Sequence, residues 1–247
     1  MKPIAIFLTG HAPDTLRARS GDFDHWFRMA LGVPRANVMV VNVDAGAPLP
    51  TPDSVAGAII SGSAAMVTEQ LDWSEHLAAW LRDAIPTGLP LFGVCYGHQL
   101  MAHALGGVVG ELPGGREMGT QTITLTDAGR TDPLTTGLPV AFPAHTSHRQ
   151  SVLSLPPGAQ VLARSALDPH HILRYGLRAM STQLHPEFST TTMRAYIRLR
   201  HVQLLAEDID VKAMLAGVCA TPEAKRLLRR FAVQVDALHR GLFEAAA

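Results

Sequence analysis

The sequence predicts an α/β fold in three layers, with a mostly parallel central sheet and helices on both faces. Two patterns carry that expectation. Short apolar runs of strand length alternate with longer stretches of helical period, the order that builds parallel sheets through crossover helices. The run Leu91–Leu100, LFGVCYGHQL, then places a glycine-flanked turn between an apolar strand and an apolar helix.

Ile4–Leu8 reads as the first strand, and Asp22 is placed to cap a helix over Phe23–Leu31. Val38–Val43 and Ala56–Ile60 follow as strands that end in turn residues. Ser74–Ile85 reads as a helix, with Trp73, Leu77, Trp80 and Leu81 packing its apolar face into the core. Leu91–Cys95 is a short buried strand, and from Gly97 onward HQLMAHAL has helical spacing. From Gln121 to Leu184 the pattern changes to short strands broken by PPG and DPHH, expected to add antiparallel pieces before the chain rejoins the main sheet at His185. Beyond Phe188 helix formers dominate, and two or more amphipathic helices are expected, the last opened by Thr221 as cap and Pro222 at its first position. Arg226, Arg229 and Arg230 on that helix fit a solvated face or a partner-docking surface.

With 247 residues, 47% of them hydrophobic, the chain can bury a substantial core as one domain. The division expected is a core over 1–190 and a helical C-terminal extension over 191–247. Lys plus Arg and Asp plus Glu both number 21, and no dense basic patch occurs, so a nucleic-acid partner is not expected. The apolar run near the N-terminus is too short for a secretory signal, and no segment has the length of a membrane span, so a cytoplasmic protein is expected. Cys95 and Cys219 are the only cysteines, which leaves no disulfide framework and agrees with a reducing compartment. His98, His103, His170 and His171 show no metal-ligand spacing, and neither a metal nor a cofactor is expected.

The chemistry concentrates at two places. A strand that turns sharply into a helix holds its pivot residue in a strained conformation and needs small neighbours, here Gly93 and Gly97. The helix N-terminus favours a thiolate on that pivot, Cys95. A free cysteine is also commonly a buried core residue, which is the alternative reading. The second place is Arg178–Phe188, RAMSTQLHPEF. As a strand it would project His185 and Glu187 from one face, letting the carboxylate accept the second imidazole N–H and steady the charged ring. Pro186 marks the strand as ending there, near the carboxyl edge where open α/β sheets place their sites. Taken alone, HPE also fits a surface turn with an incidental ion pair.

GVCYGHQL together with QLHPEF resembles the class I glutamine amidotransferases, which carry a Cys-His-Glu triad at these two motifs. The likeness is nearest to the glutaminase domain of GMP synthase and its stand-alone relatives, and runs from about residue 4 to residue 190. Ile59–Ala64 is similar to the family's Ser-Gly-Gly-Pro loop, and Gly115–Gly119 to its Arg-Glu-aromatic-Gly segment. Ser63 and Ala64 depart from the first pattern, and Thr146–Gln150 stands where that branch has Ser-His-Gly-Asp.

The resemblance implies a flavodoxin-like fold and hydrolysis of the glutamine side-chain amide. Cys95 would be the nucleophile, His185 the acid and base, and Glu187 its orienting carboxylate. The backbone N–H groups of Ser63 and Tyr96 would hold the oxyanion, at roughly 3 kcal/mol of barrier each. Gly62, Gln99 and the backbone around Ser147 and His148 would meet the substrate; for Gln99 an ordinary helix-capping amide is the alternative. His145 and His148 bracket that substrate loop, and both also fit hydrogen-bonded loop histidines.

Neither GxxxxGK[ST] nor Ser-Gly-Gly-Val-Asp-Ser occurs, so this chain alone is not expected to make GMP. The first expectation is a glutamine amidotransferase that works with a separate synthetase or acceptor subunit, or hydrolyses glutamine without one. The second is a γ-glutamyl hydrolase or peptidase with the same triad, motivated by the altered Thr146–Gln150 segment. A non-catalytic binding or regulatory module is the third, and the intact triad speaks against it.

Overall fold

The computed structural model describes residues 2–241. Its strands are β1 (Ile4–Leu8), β2 (Val38–Asn42), β3 (Gly57–Ile60), β4 (Leu91–Val94), β5 (Val108–Glu111), β6 (Glu117–Leu125), β7 (Ala141–His148), β8 (Gln150–Ser154), β9 (Gln160–Arg164), β10 (Ile172–Tyr175) and β11 (Ala179–Thr182). The helices are α1 (Asp14–Ser20), α2 (Phe23–Leu31), α3 (Asp72–Ala84), α4 (Tyr96–Ala104), α5 (Asp127–Thr131), α6 (Thr190–Leu199), α7 (His201–Ala206), α8 (Val211–Ala216) and α9 (Pro222–His239).

All five residues of β1 are buried, which requires cover on both faces of the sheet. Alternation sorts them. Ile4, Ile6 and Leu8 join an apolar cluster with α2, α6 and α9, while Ala5 and Phe7 join a second cluster with α3 and α4. The order of the nine-stranded sheet is β2-β1-β3-β4-β11-β10-β9-β6-β7. From β2 to β11 every pairing is parallel, and from β11 to β7 every pairing is antiparallel. This is the expected three-layer α/β fold with a mostly parallel site-bearing half. The segment after Gln121 supplies the antiparallel half as anticipated, although β6 already begins at Glu117. A separate pair, β5 with β8, flanks the sheet.

α9 covers one face rather than trailing from it: Phe231 packs on Phe92 of β4 with ring centroids 5.5 Å apart. Burying such a ring contributes roughly 2–3 kcal/mol. Its start differs from expectation, because the Thr221 side chain makes no capping bond and its buried hydroxyl has no partner. Pro222 does occupy the first turn, so the missing proline N–H and its fixed φ serve there instead. Leu242 and Phe243, expected to extend this helical segment, lie outside the described residues. Asp22 does accept from the N–H of Phe23, and the same carboxylate takes the N–H of Ala12, tying the β1–α1 loop to α2. No described helix is long and apolar enough to cross a membrane.

Candidate active site

The strand β4 runs into α4 with Cys95 as the hinge, at φ 52° and ψ −100°. A side chain rarely adopts that conformation, and holding it costs of order 1–3 kcal/mol. The flanking glycines explain how the turn closes. A Cβ on Gly93 would lie 2.6 Å from the carbonyl oxygen of Gly97, and a Cβ on Gly97 would collide with the carbonyl of Ile60. The elbow expected from the sequence is present, but it is no surface pivot. Cys95 is 7% exposed and belongs to the apolar cluster of the α2–α9 face. Its sulfur still opens onto solvent, because Cys95 lines two clefts.

His185 and Glu187 are buried and joined, Nδ1 to Oε1, at 2.7 Å. They do not share a strand face as the sequence suggested. β11 ends at Thr182, and the pair stands in the irregular segment beyond the sheet edge, where the His185 N–H donates to the carbonyl of His145 at 2.8 Å. A proline cannot extend a ladder, so the chain leaves the sheet before Pro186. Phe188 stacks on the imidazole, with centroids 4.1 Å apart. On the other side Gly62 leaves room: a Cβ there would sit 3.3 Å from His185 Cε1 and 3.6 Å from Cys95 Cβ. Burial disfavours the charged ring, but Glu187 and then the Cys95 sulfur outweigh it and push His185 up to about 10. The site therefore favours the charged form of the His185 ring.

The loop after β3 is fixed from below. The Thr9 hydroxyl donates towards the carbonyls of Ser61 and Gly62, at 3.0 and 3.1 Å, and the Thr9 N–H donates to Ser61 Oγ at 3.0 Å. Ser63 keeps negative φ, so its side chain is tolerated; its Oγ accepts from the N–H of Ala65 and lies 2.8 Å from where a Cβ on Gly10 would be. The Ser63 and Tyr96 N–H groups make no backbone hydrogen bond among the described residues. The Tyr96 ring points away, its hydroxyl 2.6 Å from Ser74 Oγ. Only its main chain faces the hinge.

The larger cleft, about 250 Å³, is lined by Cys95, Gln99, Ser147 and Gln150 among others. Gln99 does not cap a helix. Its amide nitrogen donates to the Gln150 carbonyl at 2.7 Å and to Gln183 Oε1 at 2.9 Å, leaving its own carbonyl as the end that can face a ligand. The Ser147 carbonyl lies 3.9 Å from the Cys95 sulfur. The His148 side chain turns from the cleft. Its Nδ1 faces the Gln150 carbonyl and its Nε2 faces Glu117 Oε2, both at 3.0 Å. His171 Nε2 reaches the same oxygen at 2.6 Å, and Ser165 donates to Glu117 Oε1. These donors outweigh burial, the largest influence, and hold the Glu117 carboxyl well below its ordinary range. The ligand atoms of Glu117, His148 and His171 lie within 4.8 Å of one another, a grouping the sequence did not reveal. Their separations are those of hydrogen bonds, which brace the substrate-loop candidate from behind.

His145, beside His185, is held down to about 4 by burial and by the charges of His185 and Lys225. His98 is pushed down to about 3 by burial, its Nδ1 2.7 Å from Ser181 Oγ. Both stay neutral. Two further residues escaped the sequence reading because they come from the C-terminal segment. Arg200 and Glu207 line the larger cleft, and Glu207 takes Arg116 in a two-point pair at 2.8 and 2.9 Å.

Residues 21–204 match the family model for glutamine amidotransferase class-I. The GMP synthase [glutamine-hydrolyzing] of Aeropyrum pernix is 33% identical over 192 residues, covering 77% of this chain and 33% of that protein. Gamma-glutamyl peptidase 5 of Arabidopsis thaliana is 28% identical over 181 residues, 70% of each chain. The chain thus spans about a third of the length of that GMP synthase. A glutamine amido transferase from Methylobacillus flagellatus has the same fold, at a TM-score of 0.74 and 22% identity over 100% of this chain and 98% of that one.

Proposed function

Because the chain belongs to the class I glutamine amidotransferases, we propose that it hydrolyses the side-chain amide of glutamine through a thioester on Cys95. One observation carries this reading: a strained cysteine at a helix N-terminus shares a cleft with an imidazole that is lifted by a buried carboxylate.

The Cys95 thiolate attacks the amide carbon, and the carbonyl oxygen becomes an oxyanion held by the N–H groups of Ser63 and Tyr96. As the C–N bond breaks, the His185 imidazolium passes its proton to the nitrogen and ammonia departs. His185, now neutral, takes a proton from water, whose oxygen attacks the thioester. Collapse releases glutamate and restores the thiolate and imidazolium. Glu187 fixes the ring's tautomer throughout, with Nδ1–H donated to it. Gln99 and the main chain at Ser147 and His148 line the space for the glutamyl group, and Gly62 lines the smaller cleft beside His185. The ammonia would pass to a separate synthetase or acceptor subunit, in keeping with the synthase relatives, or be released.

A second reading is favoured by the smaller cleft on the His185 side, which is larger than ammonia needs, and by the likeness to the plant γ-glutamyl peptidase. In it the same thioester forms from another γ-glutamyl compound. Treating the protein with a glutamine-mimicking electrophile and mapping the adduct tests the shared chemistry. Modification of Cys95 with parallel loss of ammonia release is expected, and full activity with Cys95 modified would overturn it.

A further inference from the structure

The two clefts share Ser63, Ala64, Cys95, Ser147 and Arg200 but differ in the rest of their walls. Gln99 and Gln150 line only the larger one, where the glutamyl group is placed. His185 lines only the smaller one, together with His11, Phe23 and Tyr196. Since the general acid must stand beside the departing nitrogen, the smaller cleft is the leaving-group side. Its volume is about 190 Å³, whereas a water-sized group such as ammonia needs only ~10–15 Å³ of such space.

Arg200 lies on both clefts. It sits at the junction of α6 and α7, and its buried Nε has no hydrogen-bond partner. Its neighbour Arg116 takes Glu207 in the two-point pair, which leaves Arg200 with no carboxylate of its own among the described residues. Burial, and then repulsion from Arg116, hold the guanidinium below its ordinary range. A half-buried cation with an unused donor beside the nucleophile is costly unless an anion arrives. A guanidinium presents its donors in a fork that fits a carboxylate.

We propose that the His185-side cleft is a leaving-group subsite, and that Arg200 recognises a carboxylate on the departing amine, making γ-glutamyl amides of amino acids substrates of this chain. The proposal rests on the thioester chemistry at Cys95. The bonds made and broken are those already given, with an amino acid leaving in place of ammonia and its nitrogen protonated by His185.

The test compares kcat/KM for γ-glutamylglycine, whose leaving amine carries a carboxylate, with that for γ-glutamylethylamide, whose leaving amine carries none. The wild type is expected to favour the first. Arg200→Met, which keeps most of the apolar stem, should lower that ratio by about 10- to 100-fold, the range for losing a hydrogen bond to a charged group. Arg200→Lys should restore part of it. A wild-type ratio at or below one overturns the proposal without any variant. Equal loss on both substrates in Arg200→Met also overturns it, by placing Arg200 on the glutamyl half. Hydrolysis of glutamine with no turnover of γ-glutamylglycine sinks the subsite and leaves the glutaminase reading standing. Absence of Cys95-dependent turnover on all three compounds sinks that reading itself.

Discussion

The rings of His185 and Phe188 lie face to face, their planes 18° from parallel and their centroids 4.1 Å apart. Glu187 holds Nδ1 at 2.7 Å, so one face and one edge of the imidazole are fixed and Nε2 is left to the Cys95 sulfur. Three residues of a short turn thus set the tautomer and the aim of the proposed acid and base. Phe188→Leu keeps an apolar side chain but removes the flat surface. It is expected to lower kcat about tenfold or more with little change in KM, while unfolding experiments show a loss of about 1–1.5 kcal/mol.

Cys95→Ala and His185→Ala are both expected to abolish ammonia release. Strain separates the folding consequences at the hinge. Cys95→Gly should be equally inactive yet more stable than Cys95→Ala by about 1 kcal/mol or more, because glycine relieves the positive φ. Thermal unfolding of the two variants checks this, and a less stable glycine variant would count against a strained elbow.

The imidazolium of His185 is raised to about 10, so its contribution to stability is complete below 6.5 and fades as the pH climbs through 10. The basic limb of the kcat/KM profile should lie correspondingly high. Glu187→Gln removes the larger of the influences that raise it, and the limb should shift towards neutral pH with some rate retained. Initial rates of ammonia release between pH 6 and about 10.5 would reveal an unmoved limb, which would deny Glu187 its role.

Gly62→Ala places a methyl group 3.3 Å from His185 Cε1, tighter than ordinary contact. The backbone there has no positive φ, so folding should survive. The expected result is a drop in kcat of about a hundredfold from displacement of the ring by a fraction of an ångström or more. Steady-state kinetics beside a circular dichroism spectrum reads both.

Glu117→Gln breaks the buried set with His148, His171 and Ser165. A loss of about 3 kcal/mol in urea unfolding is expected, with a higher KM as the loop at Ser147 loosens. In the wild type this carboxylate is depressed below its ordinary 4.5. Its stabilisation is therefore present above that pH and is lost as the pH falls through the lower folded value. The variant should show a flatter acid limb of stability.

The elbow and the His-Pro-Glu turn were legible in the sequence because each is local. Gly93 and Gly97 are required by backbone approaches of neighbouring segments, and the bond between His185 and Glu187 spans two residues, so short motifs carry the geometry. The strand alternation was equally readable, since Ile4, Ala5, Ile6, Phe7 and Leu8 had to be covered on both sides. Less was legible where the reason is distant. The short helix α1 escaped notice because only Leu16 is buried on it, too little apolar pattern to reveal a period. Thr221 matched a cap by type, yet its hydroxyl found no backbone donor.

By itself the sequence determined the layered α/β fold, the family, and which sulfur, imidazole and carboxylate are candidates for chemistry. Tertiary structure alone decided that β11 pairs with β4, which brings a turn ninety residues downstream beside Cys95. It also decided that Arg200, arriving on the junction of two C-terminal helices, stands over two clefts. The physical reason is that a motif encodes the conformation of its own few residues, whereas the company a charge keeps depends on how far-separated surfaces bury each other.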